Sequence, residues 1–244
     1  MNIYDDYFKT TVNMGREELI KSVQTNIKYI KINLIPHLGH DKSLHILEIG
    51  CGYGKNIASL EFLGYKNVEG IDISKDQIEV GKNILSLKNI YLEEDAIKYL
   101  KTKREVYKVI LLIDVIEHLE VKDILTLLNA IRDNMPEEGM IFIQSPNAFS
   151  IVNPFFYGDI THKTNLSPRN ILQILRMVNI FDSEIFPISP VINGIKDLLI
   201  KIIWKILWEP IIKIYYRSTL GKTWTGIHTS NFLVVARVKK NNNP

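Results

Sequence analysis

The chain lacks most of what would staple, anchor or spread a protein. Its 244 residues include one cysteine, Cys51, so no internal disulfide can form, which suits a reducing, cytoplasmic setting. Neither sign of charge dominates: 30 basic against 27 acidic residues leave +3. That is too little for the basic stripe nucleic acid demands, so no nucleic-acid partner is expected. There is no long uncharged hydrophobic run. The greasiest stretch, 195–216, carries Lys196, Asp197, Lys201, Lys205, Glu209 and Lys213, with Pro210 inside it. A spanning helix needs about 20 nearly uncharged residues. The first residues, Met1 to Asp6, have neither the basic start nor the apolar run of a signal peptide. Internal repeats and Gly-, Pro- or Ser-rich linkers are missing. The 6 histidines are scattered and the cysteine has no partner motif, so no metal site is expected.

What the chain does have is enough apolar material, 46% of residues, to bury a sizeable core as one domain over 1–244. Short β-rich runs at 44–49, 67–73, 89–93, 107–114 and 139–144 alternate with helical patterns at 55–63, 75–86 and 121–134. Run 107–114 is nearly all aliphatic, as a strand covered on both faces should be. Ser74 and Ser167 are expected N-caps, with Pro168 at the first helical position of the second helix. Such alternation predicts a parallel sheet with helices on both faces, and ligands bind such sheets beyond the carboxyl ends of the strands. Residues 1–40 read as an amphipathic N-terminal helix with Leu19, Val23, Ile27 and Ile30 apolar, preceded by Tyr4, Tyr7 and Phe8, which are placed to fold over the site. Residues 44–187 read as the α/β core, with a sixth strand at 181–187. A helical insertion at 190–222 and a closing strand at 228–238 follow.

The first strand runs into Glu48-Ile49-Gly50-Cys51-Gly52-Tyr53-Gly54 and then a helix. Glycine permits positive φ and close backbone approach, and the helix start offers unpaired N–H groups. A dinucleotide fingerprint, G-x-G-x-x-G, needs a small third residue. From either starting glycine that position is Lys55 or Ile57. The spacing E-x-G-x-G-x-G instead resembles motif I of class I S-adenosylmethionine-dependent methyltransferases. Asp72 ends the second strand, 20 residues after Gly52, with Ile73 beside it; Asp95 and Ala96 follow the third strand; Asp114-Val115-Ile116-Glu117-His118-Leu119 closes the fourth. These four segments, in order over about residues 44–145, carry the resemblance.

The resemblance implies a Rossmann-like three-layer α/β sandwich on a seven-stranded, mostly parallel sheet with an antiparallel last strand. It also implies S-adenosylmethionine as cofactor and S-adenosylhomocysteine as product. Glu48, Gly50, Cys51, Gly52 and Gly54 would form the loop around the methionine part. Asp72 and Ile73 would hold the ribose, and Asp95 and Ala96 the adenine. Asp114 would border the cofactor. The run Asp159-Ile160-Thr161-His162, followed by Leu166-Ser167-Pro168, resembles a segment of bacterial sugar and surface-polysaccharide methyltransferases. It makes His162, oriented by Asp159, the first candidate base for an oxygen acceptor, with His118 the second. The expected acceptor is a sugar or a polysaccharide precursor. A quinone or other lipid and a phosphorylated capsule precursor stay open. Outside this class, a nicotinamide-dependent oxidoreductase and a non-catalytic binding module remain. On a helix through 195–208, Ile195, Leu198, Leu199, Ile202, Ile203, Ile206 and Leu207 share a broad face, opposite Lys201, Lys205, Trp204 and Trp208. The face suits packing on the core, while tryptophan beside lysine suits a membrane surface, a second copy of the chain or a lid.

Overall fold

The computed structural model describes residues 15–104, 106–151, 153–221 and 226–240. Tyr4, Tyr7 and Phe8 lie outside them. Seven strands make one sheet: β1 (His45–Ile49), β2 (Asn67–Asp72), β3 (Ile90–Leu92), β4 (Val109–Ile113), β5 (Gly139–Pro146), β6 (Asp182–Pro187) and β7 (Asn231–Val238). Their spatial order is β3-β2-β1-β4-β5-β7-β6. Neighbours pair in parallel up to β5, and β7 runs antiparallel to both β5 and β6. The sheet order reverses between β1 and β4, the place where open α/β sheets leave a crevice.

The helices are α1 (Arg16–Asn33), α2 (Ile35–Leu38), α3 (Lys55–Phe62), α4 (Lys75–Ile84), α5 (Ala96–Thr102), α6 (Val121–Asn134), α7 (Pro154–Tyr157), α8 (Pro168–Met177), α9 (Ile195–Ile203) and α10 (Glu209–Leu220), with a π turn (Trp204–Trp208) joining the last two. They form two outer layers. On one side Ile30, Ile57, Leu60 and Ile78 from α1, α3 and α4 pack on the sheet; on the other, Leu100, Ile124, Leu128, Ile131, Ile171 and Leu175 from α5, α6 and α8 do so. In α6 the buried set Ile124, Leu127, Leu128 and Ile131 has helical spacing, and burying these side chains contributes roughly 1.5–3 kcal/mol each. Strand β4 is buried along Val109–Leu112, as its unbroken aliphatic run requires.

Ser74 caps α4 by accepting from the Gln77 N–H, and Ser167 forms a capping box with Asn170 ahead of Pro168. Two expectations need correcting. The N-terminal helix does not run on to residue 38: it stops at Asn33, and Pro36 restarts a short turn, because proline cannot donate within a helix. The aliphatic face of 195–207 does not pack on the core either; no residue of α9 or of the π turn is buried.

Candidate active site

The crevice beyond β1, β2, β3 and β4 holds a cavity of about 440 Å³, within the range of cofactor sites. Gly50, Gly52, Asp72, Ile73, Asp95, Ala96, Asp114 and His118 all line it. The loop after β1 makes this wall from backbone. Gly50, Gly52 and Gly54 all have positive φ, at 75°, 56° and 79°. A β-carbon on Gly50 would collide with a Val115 methyl, and one on Gly52 would stand 2.6 Å from Gln77 Oε1. The N–H groups of Gly50 and Cys51 both donate to the Ile71 carbonyl, tying the loop to β2.

Asp72 closes that tie. Its carboxylate accepts from the Gly52 N–H and from the Ser74 N–H, each at 2.7 Å. Burial raises the carboxyl above its ordinary value, while these backbone donors pull the other way. Each carboxylate oxygen keeps a second lone pair, so two hydroxyls can still donate to it. Asp95 caps α5 by accepting from the Lys98 N–H at 2.9 Å and stands on the cavity wall as well. A cradle without β-carbons, a strand-end carboxylate and a cavity of this size fit S-adenosylmethionine.

Three loop residues named from the sequence sit elsewhere. Glu48 is buried beneath the loop and accepts from Asn56 Nδ2 at 2.5 Å, and burial pushes its carboxyl up to about 8. The Cys51 side chain turns toward β2, where a β-carbon on Gly70 would meet its Sγ at 2.8 Å. Gly54 caps α3 in the left-handed conformation against Leu87. These residues shape the loop without lining the cavity.

The fourth strand ends in a left-handed residue and then a turn. Asp114 has φ 54°, a conformation that aspartate adopts more readily than most side chains. Gln144 Nε2 donates to both its carboxylate oxygens at 3.0 Å, and Tyr29 O–H donates to Gln144 Oε1. Asp114 is open to the cavity but walled by protein on its other sides, which lifts its carboxyl above the usual range. Tyr29 and Gln144 had no sequence signal beyond a polar residue ending a buried strand.

His118 is the histidine that faces the cavity. Thr161 Oγ1 donates to Asp159 Oδ1 at 2.6 Å, so it must accept from His118 Nδ1–H at 2.8 Å. That fixes the His118 proton on Nδ1 and leaves Nε2 as the basic nitrogen. Burial, and then the neighbouring His162, lower the His118 pKa below its ordinary value, so the ring is neutral at pH 7. His162 stands behind it, with ring centroids 4.6 Å apart and Nδ1 donating to the Phe156 carbonyl at 2.9 Å. Asp159 lies 4.0 Å from His162 Nε2. Thr161 thus links Asp159 to His118 at the cavity wall, while the His162 ring packs behind that of His118.

Glu117, between these groups, is fully buried, and neither of its carboxylate oxygens meets a hydrogen-bond partner; the Ser145 hydroxyl beside it is also unsatisfied. Burial and the Asp114 charge hold the Glu117 carboxyl well above the usual range. Its carbonyl accepts from the N–H groups of Lys163 and Thr164, which pins the 159–164 loop to the turn. Glu117, His118 and His162 each offer one ligand atom, all within 4.8 Å of one another. This trio can hold a divalent cation, although the scattered histidines gave no sign of it in the sequence.

Residues 23–180 match the family model for the methyltransferase domain. A ubiquinone biosynthesis O-methyltransferase of Rickettsia typhi is 29% identical over 218 residues, 80% of each chain. A sphingolipid C9-methyltransferase of Candida albicans is 27% identical over 144 residues, 54% of this chain and 27% of that protein. Among solved structures, an S-adenosylmethionine-dependent methyltransferase of Archaeoglobus fulgidus superposes with a TM-score of 0.59 at 21% identity, covering 96% of this chain and 98% of that one. Phosphoethanolamine N-methyltransferase 2 of Haemonchus contortus, in complex with S-adenosylmethionine, gives 0.62 at 15% identity, covering 98% and 60%.

Proposed function

The chain belongs to the methyltransferase domain family and is an S-adenosylmethionine-dependent methyltransferase, and from that premise we propose that it methylates a hydroxyl oxygen with His118 as general base. Family membership sets aside the oxidoreductase reading. The observation that carries the proposal is the Asp159–Thr161–His118 relay at the cavity wall. Bound S-adenosylmethionine supplies a methyl group made electrophilic by its sulfonium. The backbone of Gly50 and Gly52 would receive its methionine part, Asp72 would accept from its ribose hydroxyls, and Asp95 with the Ala96 N–H would meet the adenine. His118 Nε2 would take the acceptor's proton as the acceptor oxygen is methylated. The carboxylate of Asp159, acting through Thr161, steadies the resulting imidazolium.

The acceptor we favour is a hydroxyl-bearing polar head group of the sugar type. The Asp159–His162 segment supports it, since that segment supplies the relay. The names of the two relatives, with ubiquinone and sphingolipid in them, support an acceptor carried on a lipid. A second reading of the activation step rests on Glu117, whose buried oxygens have no partner: a divalent cation on Glu117, His118 and His162 would acidify the acceptor hydroxyl directly.

Methyl-labelled S-adenosylmethionine, incubated with the protein and a fractionated extract, tests the assignment. Label in a polar glycan fraction or on a glycolipid supports it, whereas label on protein or on an amine overturns it. His118→Ala should lower turnover by about 10²–10⁴-fold and leave S-adenosylhomocysteine affinity within about threefold. Full turnover in that variant refutes the base. Loss of turnover on chelation, restored by one metal, selects the cation reading.

A further inference from the structure

The helical arm that leaves the sheet after β6 is covered by almost nothing. Among the described side chains of α9, the π turn and α10, Ile212 is buried, while Ile195 (73%), Ile200 (66%), Leu199 (53%), Ile206 (73%), Trp208 (49%) and Ile214 (70%) stand exposed. A soluble monomer seldom shows so continuous an apolar surface without a use for it. Lysines punctuate it. Lys196, Lys201, Lys205, Lys213 and Arg217 outnumber Asp197 and Glu209, and both acids are engaged: Glu209 by Lys213, and Asp197 by the Asn193 N–H. The arm therefore offers apolar and aromatic side chains with uncompensated positive charge.

The root of the arm is fixed beside the active site. The Trp204 ring stacks on His228 with centroids 6.3 Å apart, and Tyr216 O–H donates to the Phe149 carbonyl. His228 lies just ahead of β7, whose first residue, Asn231, donates to Asp114 Oδ1 at 3.5 Å. Phe149 opens the segment that leads to Asp159 and Thr161. That segment exposes Ile151 (50%), Phe155 (57%), Tyr157 (74%) and Ile160 (93%). Two separate elements, both joined to the acceptor end of the cavity, thus show apolar side chains to solvent.

We propose that the arm and the 151–160 segment dock on an anionic lipid surface and bring the acceptor end of the cavity to it. Charge decides among occupants. A second copy would set these lysines against their own kind, whereas anionic head groups attract them while the isoleucines and tryptophans enter the acyl boundary. No described helix is long and apolar enough to cross a membrane, so the arm would lie in the interface. The proposal deepens the lipid-borne acceptor reading and rests on it for what docking would serve; docking itself is measured without turnover.

The test is flotation of the full chain with phosphatidylcholine vesicles, with and without about 30% phosphatidylglycerol, at low and high salt. Wild type should bind the anionic vesicles at least about tenfold more tightly than the neutral ones at low salt, and lose much of that preference at high salt. Leu199→Asp with Ile206→Asp, and separately Lys201→Glu with Lys205→Glu, should each weaken vesicle binding at least about tenfold. Both double variants should keep wild-type affinity for S-adenosylhomocysteine, which shows that they fold. Absence of vesicle binding, or binding unchanged in either variant, overturns the proposal. A dimer that Leu199→Asp with Ile206→Asp disperses, without vesicle binding, overturns it in favour of a second copy.

Discussion

At Gly50 two constraints coincide. Its φ of 75° is left-handed, and Val115, a β-branched side chain with little rotamer freedom, occupies the place of a β-carbon. At Gly52 the obstacle is the end of the Gln77 side chain, which can swing away. Gly50→Ala should therefore weaken S-adenosylhomocysteine binding about tenfold or more, from roughly 1–2 kcal/mol of backbone strain plus repacking, and Gly52→Ala should weaken it less. Titration calorimetry of the pair checks the order. Glu48 makes the second residue-scale prediction. Its carboxyl rises from 4.5 to about 8 on folding. Between those values the unfolded chain gives up a proton that the folded chain keeps, so stability falls as pH rises through that window and levels off above it. Glu48→Gln cannot ionise. Its melting temperature should exceed that of wild type at about pH 8.5 and lose the advantage toward pH 5. A constant difference across that range would mean Glu48 is charged in the fold.

At the scale of elements, the N-terminal helix meets the glycine loop where Ser22 Oγ lies 3.0 Å from the Tyr53 hydroxyl, and the helix after that loop through a buried asparagine. Asn26 of α1 donates to Asn56 Oδ1 at 2.8 Å and to Ser59 Oγ at 3.0 Å, and Asn56 in turn donates to Glu48. Asn26→Ala strands those acceptors away from water, at a cost of about 1–3 kcal/mol, or about 2–4 °C of melting temperature per kcal/mol in a chain of this size. A thermal melt unchanged within error would show that water fills the gap. Such links explain what the sequence disclosed and what it hid. Strand ends were legible because Asp72, Glu93 and Asp114 interrupt apolar runs, and helix starts because Ser74 and Ser167 have few other reasons to precede apolar periodicity. The pairing of Tyr29 with Gln144, and of Thr161 with His118, joins positions far apart in the chain. Local pattern carries no trace of such contacts, and for that reason the sequence did not show that His118 lines the cavity with His162 packed behind it.

On the scale of the molecule, the two ends of the sheet's upper edge are built differently. The cavity-lining residues on the β1–β4 side are knit together by backbone bonds, whereas the 151–160 segment and the arm bury little. Stability should be divided in the same way, since regions with few buried apolar contacts open at lower free energy than the core. Limited trypsin digestion in the absence of lipid should therefore cut first after Lys201, Lys205, Lys213 or Arg217 of the arm. S-adenosylhomocysteine, which stabilises only the folded core by mass action, should slow later cuts in the core and leave the arm cuts unchanged. Anionic vesicles should do the reverse. If the arm instead resists trypsin as long as the core does, with no lipid present, something already covers it in solution, and the exposed isoleucines of α9 belong to an interface between protein chains.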